Sequence, residues 1–330
     1  MKVLVTGGSS LLGRTVANLL VARGDDVSCF QRSASGSKAV DVLGDIRDRA
    51  KLAAAADGVD AVVHLAALVA PKAPWADMLA INVDGTRNAL SAAVAGGRFV
   101  YISSPSVAFH DQASVGLGAL AADYSGRDGY ARSKALAENV VRSESTIPTV
   151  ILRPHLVWGP GDTQLIGRIV DRARSGKLVL PDGGRALVDT TYLDDAAEGI
   201  LAGLDHCVAG DEATTLPLVI TGGEPRPLRD LVSSILEAAG VQRMPRSVPA
   251  PVAGLLGSLM DRVWPGSEPP LTHFAARQLS VAHWFDQRET RRILGWEPTV
   301  GLDEGFHRLR AAFASLSDSG HSQGNVPLEG

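Results

Sequence analysis

A tyrosine and a lysine stand four residues apart in the segment YARSK, at Tyr130 and Lys134. Residues at this spacing share one face of a helix, so the phenol and the ammonium group are expected to lie close together. A free phenol has a pKa of about 10 and is a poor base at neutral pH. A neighbouring cation favours the phenolate and lowers that pKa. The pair therefore predicts acid–base chemistry, in which Tyr130 gives a proton to a ketone oxygen or takes one from an alcohol.

A glycine-rich turn, TGGSSLLG at residues 6–13, follows the first apolar run of the chain and leads into a helical pattern. The N–H groups at such a helix start converge on one point, and the helix dipole adds partial positive charge there, so the turn can hold a phosphate. Gly7 permits the tight turn, and Gly13 allows close packing of helix on sheet. Ser10 stands where a third glycine is usual, and its hydroxyl can cap the helix or bind a phosphate. The turn predicts a dinucleotide site because it opens a strand–helix–strand unit.

The elements that must position these residues alternate along the first half of the chain. Short β-branched runs predict strands, and apolar residues at helical spacing predict helices between them. Such alternation is typical of a parallel sheet joined by crossover helices, so we expect an α/β fold with a Rossmann-type doubly wound parallel sheet. The expected strands are 2–6, 26–30, 39–45, 60–67, 98–104 and 149–154, and the main expected helices are 11–24, 75–97 and 130–145.

The second half of the chain is richer in proline and less regular, which indicates a smaller C-terminal substrate lobe. We expect this lobe to cover the carboxyl edge of the sheet, where ligands bind in such folds. The tail lacks periodicity and is expected to be disordered. The expected division is 1–153 with 186–215 for the dinucleotide-binding domain, 154–185 with 216–314 for the lobe, and 315–330 for the tail. Further expected elements are a strand at 213–221 and helices near 193–204, 227–239 and 302–313.

Composition and charge argue against several classes of protein. A net charge of −4 gives no basic face, so no nucleic-acid partner is expected. Two cysteines, Cys29 and Cys207, and eight scattered histidines provide neither a disulfide framework nor a metal site. No apolar run reaches the roughly 18 residues of a membrane span, and no signal peptide is evident, so a cytoplasmic location is expected.

These motifs together resemble the pattern of the extended short-chain dehydrogenases/reductases. TGGSSLLG is similar to the T-G-x-x-G-x-x-G motif, with Ser10 as the single departure, and YARSK matches the Y-x-x-x-K motif. The resemblance implies a nicotinamide cofactor and makes Tyr130 and Lys134 catalytic. The other segments that resemble family motifs are GDIRD (44–48), HLAA (64–67), NVDGTRN (82–88), LRPHLVWGPGD (152–162) and VDTTYLDDAAEG (188–199).

The resemblance also assigns a third catalytic residue and a set of cofactor contacts. In YISSPSVAF, Ser104 stands where the family places a hydroxyl that polarises the carbonyl, and Ser103 is the near alternative. For Ser103, capping of the backbone at the strand end is the simpler interpretation. The expected cofactor contacts are Gly7, Ser9, Ser10, Leu11, Leu12, Gly13, Gln31, Arg32, Ser33, Asp45, Ile46, Leu65, Ala66, Ala67, Asn82, Ser103, Tyr130, Lys134, Pro154 and Leu156.

The end of the second expected strand bears on which nicotinamide cofactor binds. An acid at this place would bond the free 2′-hydroxyl of NAD and repel a phosphate. The chain has Phe30, Gln31, Arg32 and Ser33 here and no acid. An arginine can fork onto a phosphate, with the serine beside it. We therefore expect NADP(H), with NAD(H) as the less favoured alternative.

Several residues bear on the branch of the family and hence on the substrate. Sugar 4,6-dehydratases need an acid pair after the strand hydroxyl, whereas Pro105 and Ser106 follow Ser104, and Leu156 replaces a common asparagine of sugar-nucleotide enzymes. RPHLVWGPGD and LVDTTYLDDAAE resemble the 3β-hydroxysteroid dehydrogenase-like branch, and within it the 2-alkyl-3-oxoalkanoate reductases of bacterial long-chain olefin biosynthesis. The resemblance implies NADPH-dependent reduction of a lipid-like keto acid, a 2-alkyl-3-oxoalkanoic acid, to the 3-hydroxy acid.

Other functions remain open from the sequence. The first is a 3β-hydroxysteroid or sterol-type dehydrogenase, the second a nucleotide-sugar epimerase, and the third a non-catalytic NADP-binding redox sensor, a class that typically lacks the tyrosine–lysine pair. His155 and Arg185 are the candidates for contact with the substrate, whereas His64 is expected to be a satisfied core residue. A homodimer and an association with other enzymes of olefin synthesis are also open.

An apolar stripe in PVAGLLGSLMDRVW (251–264) fits one face of a helix. Three interpretations are open: a helix packed on its own lobe, a wall of a pocket for alkyl chains, or a surface that docks a membrane or a partner enzyme. The stripe consists of Val252, Leu255, Leu256, Leu259, Met260, Val263 and Trp264.

Overall fold

A computed structural model describes residues 1–70, 73–93, 97–109, 112–126, 128–207, 217–264, 269 and 271–321. The strands are β1 Lys2–Thr6, β2 Asp26–Gln31, β3 Val40–Leu43, β4 Ala61–His64, β5 Arg98–Ile102, β6 Ser114–Leu117, β7 Thr149–Pro154, β8 Val157–Trp158, β9 Val179–Pro181, β10 Leu187–Val188, β11 Thr191–Tyr192, β12 Pro217–Ile220, β13 Arg226–Pro227, β14 Arg246–Val248 and β15 His283–Phe285.

The helices lie between these strands and after them. The α-helices are α1 Leu11–Ala22, α2 Arg49–Ala55, α3 Trp75–Met78, α4 Gly85–Ala92, α5 Gly129–Glu144, α6 Ile166–Arg174, α7 Leu193–His206, α8 Leu228–Ala238, α9 Ala250–Val263, α10 His273–Ser280, α11 Arg288–Leu294 and α12 Leu302–His321. A π-helix at Leu79–Asp84 and 3₁₀ helices at Pro105–Ala108 and Asp182–Gly184 complete the described elements.

Seven strands form one parallel sheet in the order β12-β7-β5-β4-β1-β2-β3. Strands β1, β4, β5 and β7 are buried almost throughout, because helices cover both faces of the sheet. The strand order reverses at β1, next to the glycine turn, so the first helix starts at the switch point where such sheets bind ligands. The predicted doubly wound parallel sheet is confirmed. Residues 213–216 of the strand expected at 213–221 lie outside the described residues.

The prediction of one continuous helix at 75–97 is wrong. This segment is divided into α3, the π-helix and α4. Gly85 starts α4 against Ile46, whose Cγ2 would lie 2.8 Å from an added Cβ. Asn82 within the π-helix is buried and bonds Leu68 on the neighbouring loop. A π-helix of this kind often marks a functional segment, because it redirects side chains by a fraction of a turn.

The second half builds a lobe of short strands and helices above the carboxyl edge of the main sheet. A four-stranded sheet has the order β13-β10-β15-β6, so the early strand β6 joins strands from late in the chain. Trp158, Tyr192 and Phe306 pack as aromatic rings within the core of this lobe. The disordered tail expected from residue 315 is wrong in part, because α12 continues to His321, and residues 322–330 lie outside the described residues.

The apolar stripe of α9 faces outward. Val252, Leu255, Leu259 and Val263 are 44%, 72%, 54% and 61% exposed. The helix packs on α10 through small residues instead, because an added Cβ at Gly257 would lie 2.7 Å from the backbone of α10. The interpretation that this stripe packs on the helix's own lobe is therefore wrong for these four side chains. Among the described residues, no helix has both the length and the apolar character that crossing a membrane requires.

Candidate active site

The glycine turn lies tightly between β1, β4 and the start of α1. Gly7 has a φ of +78°, and a Cβ at this position would meet the backbone nitrogen of Ala66 at 2.8 Å. Ser10 caps α1: its Oγ accepts from the N–H of Gly13 at 3.0 Å and donates to the carbonyl of Gly7 at 2.9 Å. The predicted capping by Ser10 is confirmed. The serine hydroxyl bonds two glycines of the turn, which a glycine at this position could not do.

A cleft runs from this turn along the ends of β2, β3 and β4. It brings together eleven of the twenty residues that the sequence assigned to the cofactor. The assigned residues that do not line it are Leu11, Leu12, Gly13, Asn82, Ser103, Tyr130, Lys134, Pro154 and Leu156. Local sequence reasoning missed Phe30, Gly44, Leu68 and Ile81, which enter through contacts between strands. The lining residues are Gly7, Ser9, Ser10, Phe30, Gln31, Arg32, Ser33, Gly44, Asp45, Ile46, Leu65, Ala66, Ala67, Leu68 and Ile81.

The β2 end of the cleft carries an arginine, whereas a site for NAD typically has an acid at this place. Arg32 and Ser33 are exposed. A carboxylate that the sequence reasoning missed, Asp41 on β3, accepts the Gln31 amide at 2.8 Å and the Ser35 N–H. This carboxylate is thus engaged with Gln31 and Ser35 and is not among the lining residues. The arrangement fits a dinucleotide whose ribose end lies near an arginine.

Asp45 marks the opposite wall of this cleft. Its carboxylate binds the Arg47 guanidinium, with a shortest N–O distance of 2.7 Å. The hydrogen bond from Arg47, together with the charge of Arg32, lowers the pKa of Asp45 to about 2. Asp45 is therefore ionised at any physiological pH, and Arg32 lies near enough to feel its charge.

Tyr130 and Lys134 occur in the first half of α5, which Asp128 caps by accepting the N–H of Ala131 at 2.8 Å. The phenol lies within hydrogen-bonding reach of the Ser104 side chain. Ser104 ends the strand run of β5 and caps the 3₁₀ helix, with its Oγ 2.9 Å from the Ser106 Oγ. The fold thus brings a phenol and a serine hydroxyl to one point.

The phenol of Tyr130 holds its proton firmly. Burial, together with the charge of Asp128, raises its pKa to about 12, and the hydrogen bond with Ser104 acts in the opposite direction. The expectation of a lysine-lowered pKa is wrong in this structure, because Lys134 turns away from the phenol. A protonated phenol is suited to donate a proton to a substrate oxygen.

Lys134 is withdrawn into the protein, where it is 2% exposed. Its Nζ donates to the carbonyl of Ile102 at 2.6 Å and lies 4.3 Å from the ring centroid of Tyr101. Burial lowers the pKa of Lys134 to about 7, and the charge of Glu138 acts against this shift. The ammonium group is therefore poised to titrate near neutral pH.

A buried ion pair lies beneath the lysine. Arg153 binds Glu138 through two nitrogens, at 2.6 and 3.0 Å, and both side chains are 1% exposed. Ser103 donates to the same carboxylate at 2.9 Å, so the interpretation of Ser103 as a backbone cap is wrong. Arg153 also donates to the Leu120 carbonyl at 2.6 Å, which ties the loop after Ser104 to the sheet.

Asn82 and His64, which were singled out in the sequence, bond neighbouring elements to one another. Asn82 bonds both backbone groups of Leu68 and donates to Ser133 at 2.8 Å, so it links the cleft wall to α5. His64 is buried between Thr6 and Thr86, with ring nitrogens 2.7 and 2.9 Å from the two hydroxyls, and burial lowers its pKa to about 3. The expectation that His64 is a satisfied core residue is confirmed.

The remaining candidate site residues are Leu156 and His155, which follow β7, and Arg185, which lies in the C-terminal lobe. Leu156 follows Pro154 and His155 with a φ of +43°, an uncommon conformation for a leucine, at the point where the chain leaves the sheet. His155 is buried, whereas Arg185 is exposed at the end of the 3₁₀ helix Asp182–Gly184. Among the described residues, no cluster of His, Cys, Asp and Glu has the arrangement of a metal site.

Comparisons with known proteins agree on the class of protein to which this chain is similar. Residues 3–217 match the NAD dependent epimerase/dehydratase family. A 2-alkyl-3-oxoalkanoate reductase of Stenotrophomonas maltophilia is 39% identical, covering 96% of this chain and 100% of the relative, and one of Shewanella oneidensis is 32% identical, covering 93% and 85%. A short-chain dehydrogenase/reductase superfamily protein from Agrobacterium tumefaciens with bound NAD has a similar fold, with a TM-score of 0.75, 23% identity and coverage of 98% and 100%.

Proposed function

We propose a substrate and a cofactor for this chain, which belongs to the NAD dependent epimerase/dehydratase family and is an NAD(P)-dependent oxidoreductase. The proposed reaction is the NADPH-dependent reduction of a 2-alkyl-3-oxoalkanoic acid to the 2-alkyl-3-hydroxyalkanoic acid, in long-chain olefin synthesis. The meeting of Tyr130 with Ser104 carries the assignment to carbonyl–alcohol interconversion, and the two relatives named 2-alkyl-3-oxoalkanoate reductase support the substrate and its reduction.

The residues of the chain supply protons and positioning. The reduced nicotinamide, when bound in the cleft, supplies the hydride that adds to the carbonyl carbon. Tyr130 gives its proton to the carbonyl oxygen as negative charge develops there. Ser104 accepts the N–H of Ser106 at 3.3 Å, so its own hydroxyl proton can be directed at the same oxygen. Lys134, charged below about pH 7, is assigned to holding the nicotinamide end of the cofactor, since it does not lower the pKa of Tyr130.

Oxidation of the hydroxy acid tests the proposed substrate, because 3-oxo acids lose carbon dioxide readily. The wild-type protein is incubated with NADP⁺ and a long-chain 2-alkyl-3-hydroxyalkanoic acid, a 3β-hydroxysteroid or UDP-glucose. NADPH is followed by absorbance, and epimerisation of UDP-glucose, which leaves no net NADPH, is followed by chromatography. We expect a kcat/KM for the hydroxy acid at least about 100-fold above the other two, equivalent to about 2.7 kcal/mol. A steroid or sugar that is turned over as well as the hydroxy acid would overturn the proposed substrate.

The cofactor preference depends on Arg32. A charge-assisted bond to a 2′-phosphate contributes about 1.5–3 kcal/mol, so Arg32→Ala is expected to lower kcat/KM for NADPH by about 10- to 100-fold and to leave NADH nearly unchanged. Arg310→Ala, an exposed arginine on α12 paired with Glu237, is the matched control. Equal losses with NADPH and NADH would contradict a phosphate contact at Arg32.

A further inference from the structure

Two buried histidines meet where the C-terminal lobe covers the end of β7. His155 follows β7, and His283 begins β15. Their rings lie edge to face, with centroids 5.0 Å apart and an interplanar angle of 82°, and each residue is 3% exposed. Phe285 lies against His155 with ring centroids 5.1 Å apart. The two imidazoles therefore form one buried unit bordered by an apolar ring.

The Nε2 atom of each ring is buried and has no hydrogen-bond partner among the described residues. In His283 the other nitrogen is engaged, because Nδ1 donates to the Val281 carbonyl at 2.9 Å. Main-chain bonds fix both residues: the His155 N–H donates to Ile220, and the Asp189 N–H donates to His283. An unpaired buried polar atom costs about 1–3 kcal/mol, so these two neighbouring rings need partners that the described residues do not supply.

The histidine pair borders the same edge of the sheet as the catalytic serine. Strands β5 and β7 are neighbours with Ile102 opposite Leu152, so Ser104 and His155 leave the sheet side by side. Strand β6, on the loop that follows Ser104, pairs with β15 and sets Ser114 opposite His283. The pair and the catalytic serine are thus joined through one short strand pairing.

Charged groups on the surrounding strands are engaged elsewhere. Asp189, next to β10, accepts from Thr221 at 2.6 Å and from two backbone N–H groups, and Arg153 on β7 binds Glu138. Asp286, after β15, binds an exposed arginine, and β6 and β12 contain no charged residue. Burial lowers the pKa of both histidines, and His283 lowers that of His155 further. Both rings are therefore neutral at physiological pH.

We propose that the Nε2 atoms of His155 and His283 bind the carboxylate of the substrate acid, an inference that rests on the proposed function. Each imidazole donates to one carboxylate oxygen. His155 can do so in its neutral Nε2–H form, whereas His283 must first gain a proton at Nε2, because its Nδ1 proton is used. One proton from solvent thus enters with the carboxylate and forms a buried imidazolium–carboxylate pair. Phe285 offers an apolar surface to the alkyl substituent.

Comparing the kinetics of an acid substrate with those of its ester distinguishes the carboxylate contact from effects on catalysis in general. The substrates are a 2-alkyl-3-hydroxyalkanoic acid and its methyl ester with NADP⁺, and the variants are His283→Phe and His155→Phe, which keep a ring. We expect kcat/KM for the acid to fall about 10- to 100-fold and that for the ester to stay within about threefold. His307→Phe, exposed on α12, is the matched control. Equal effects on acid and ester, or none on the acid, would overturn the inference while leaving the reductase proposal intact.

Calorimetry tests the site without any turnover. The NADP⁺-saturated protein is titrated at pH 8 with tetradecanoate or tetradecanamide in two buffers of different ionisation enthalpy. We expect tetradecanoate to bind more tightly, with uptake of about one proton, and affinity to weaken as pH rises because that proton becomes harder to acquire. His283→Gln should abolish the uptake. Binding of both compounds alike without proton uptake contradicts the pair as a carboxylate site, whereas uptake by a protein that oxidises no hydroxy acid contradicts only the proposed reaction.

Discussion

Replacing Tyr130 by phenylalanine is expected to lower kcat for the hydroxy acid–keto acid interconversion by about 10²- to 10⁴-fold, the range that a positioned general acid contributes. The phenol keeps its proton because burial raises its pKa to about 12, and it lies within reach of Ser104. The substitution removes one oxygen from a half-buried ring, so the cleft that holds the dinucleotide should be unchanged. The dissociation constant of NADPH, measured by fluorescence, is expected to change less than about threefold.

Tyr124→Phe is the matched control for this experiment. Tyr124 precedes α5 and is 42% exposed, so loss of its hydroxyl should leave kcat within about twofold. A Tyr130→Phe protein that retains more than a tenth of the wild-type kcat would show that another group moves the proton. Loss of NADPH binding in the same protein would instead show that the phenol shapes the cleft.

Replacing Glu138 by glutamine is expected to destabilise the fold by about 3–5 kcal/mol, because it leaves the Arg153 guanidinium buried without its countercharge. The carboxylate accepts from Arg153 and from Ser103, and it is fully buried. The loss is measured as the change in free energy of unfolding in urea. Glu144→Gln is the matched control on the same helix: it breaks a pair with Arg87 whose members are each 42% exposed, and such pairs contribute at most about 1 kcal/mol.

The same substitution should move the pH dependence of catalysis. Glu138 acts to raise the pKa of Lys134, which burial has lowered to about 7. Without that negative charge, Lys134 loses its proton at a lower pH, so the decline of kcat for keto-acid reduction on the alkaline side should shift to lower pH. A Glu138→Gln protein that loses less than about 1 kcal/mol and keeps the wild-type pH profile would contradict the role of the ion pair. Ser103→Ala, which removes one bond to the carboxylate but keeps its charge, is the control that should leave the pH profile unchanged.

Local patterns predicted the sheet and the glycine turn well, because they depend on short-range physical preferences. Buried β-branched runs form parallel strands, and the capping hydroxyl of Ser10 acts within three residues of its own position. The Tyr130–Lys134 spacing also gave the shared helix, whereas Ser104 was assigned to the site through the family resemblance. These features needed no knowledge of which distant segments pack together.

Features set by distant contacts were outside the reach of such reasoning. Lys134 turns to the Ile102 carbonyl because strand β5 passes beneath α5, so it does not lower the pKa of Tyr130. His283 reaches His155 through the pairing of β15 with β6 and β10, strands distant from it in the chain. The stripe on α9 is exposed because Gly257 lets α10 approach its opposite side, a choice that an apolar periodicity alone does not reveal.

Transfer of a labelled hydride tests the central claim most directly, namely that this chain reduces a 3-keto group with a proton from Tyr130. Wild-type protein is supplied with NADPH deuterated at C4 and a freshly generated 2-alkyl-3-oxoalkanoic acid, and the product is examined by mass spectrometry. We expect a 3-hydroxy acid with one deuterium at C3 from one of the two C4 epimers of the cofactor, and at most about one hundredth of that rate with Tyr130→Phe. A product without deuterium, or equal rates from the two proteins, would contradict it.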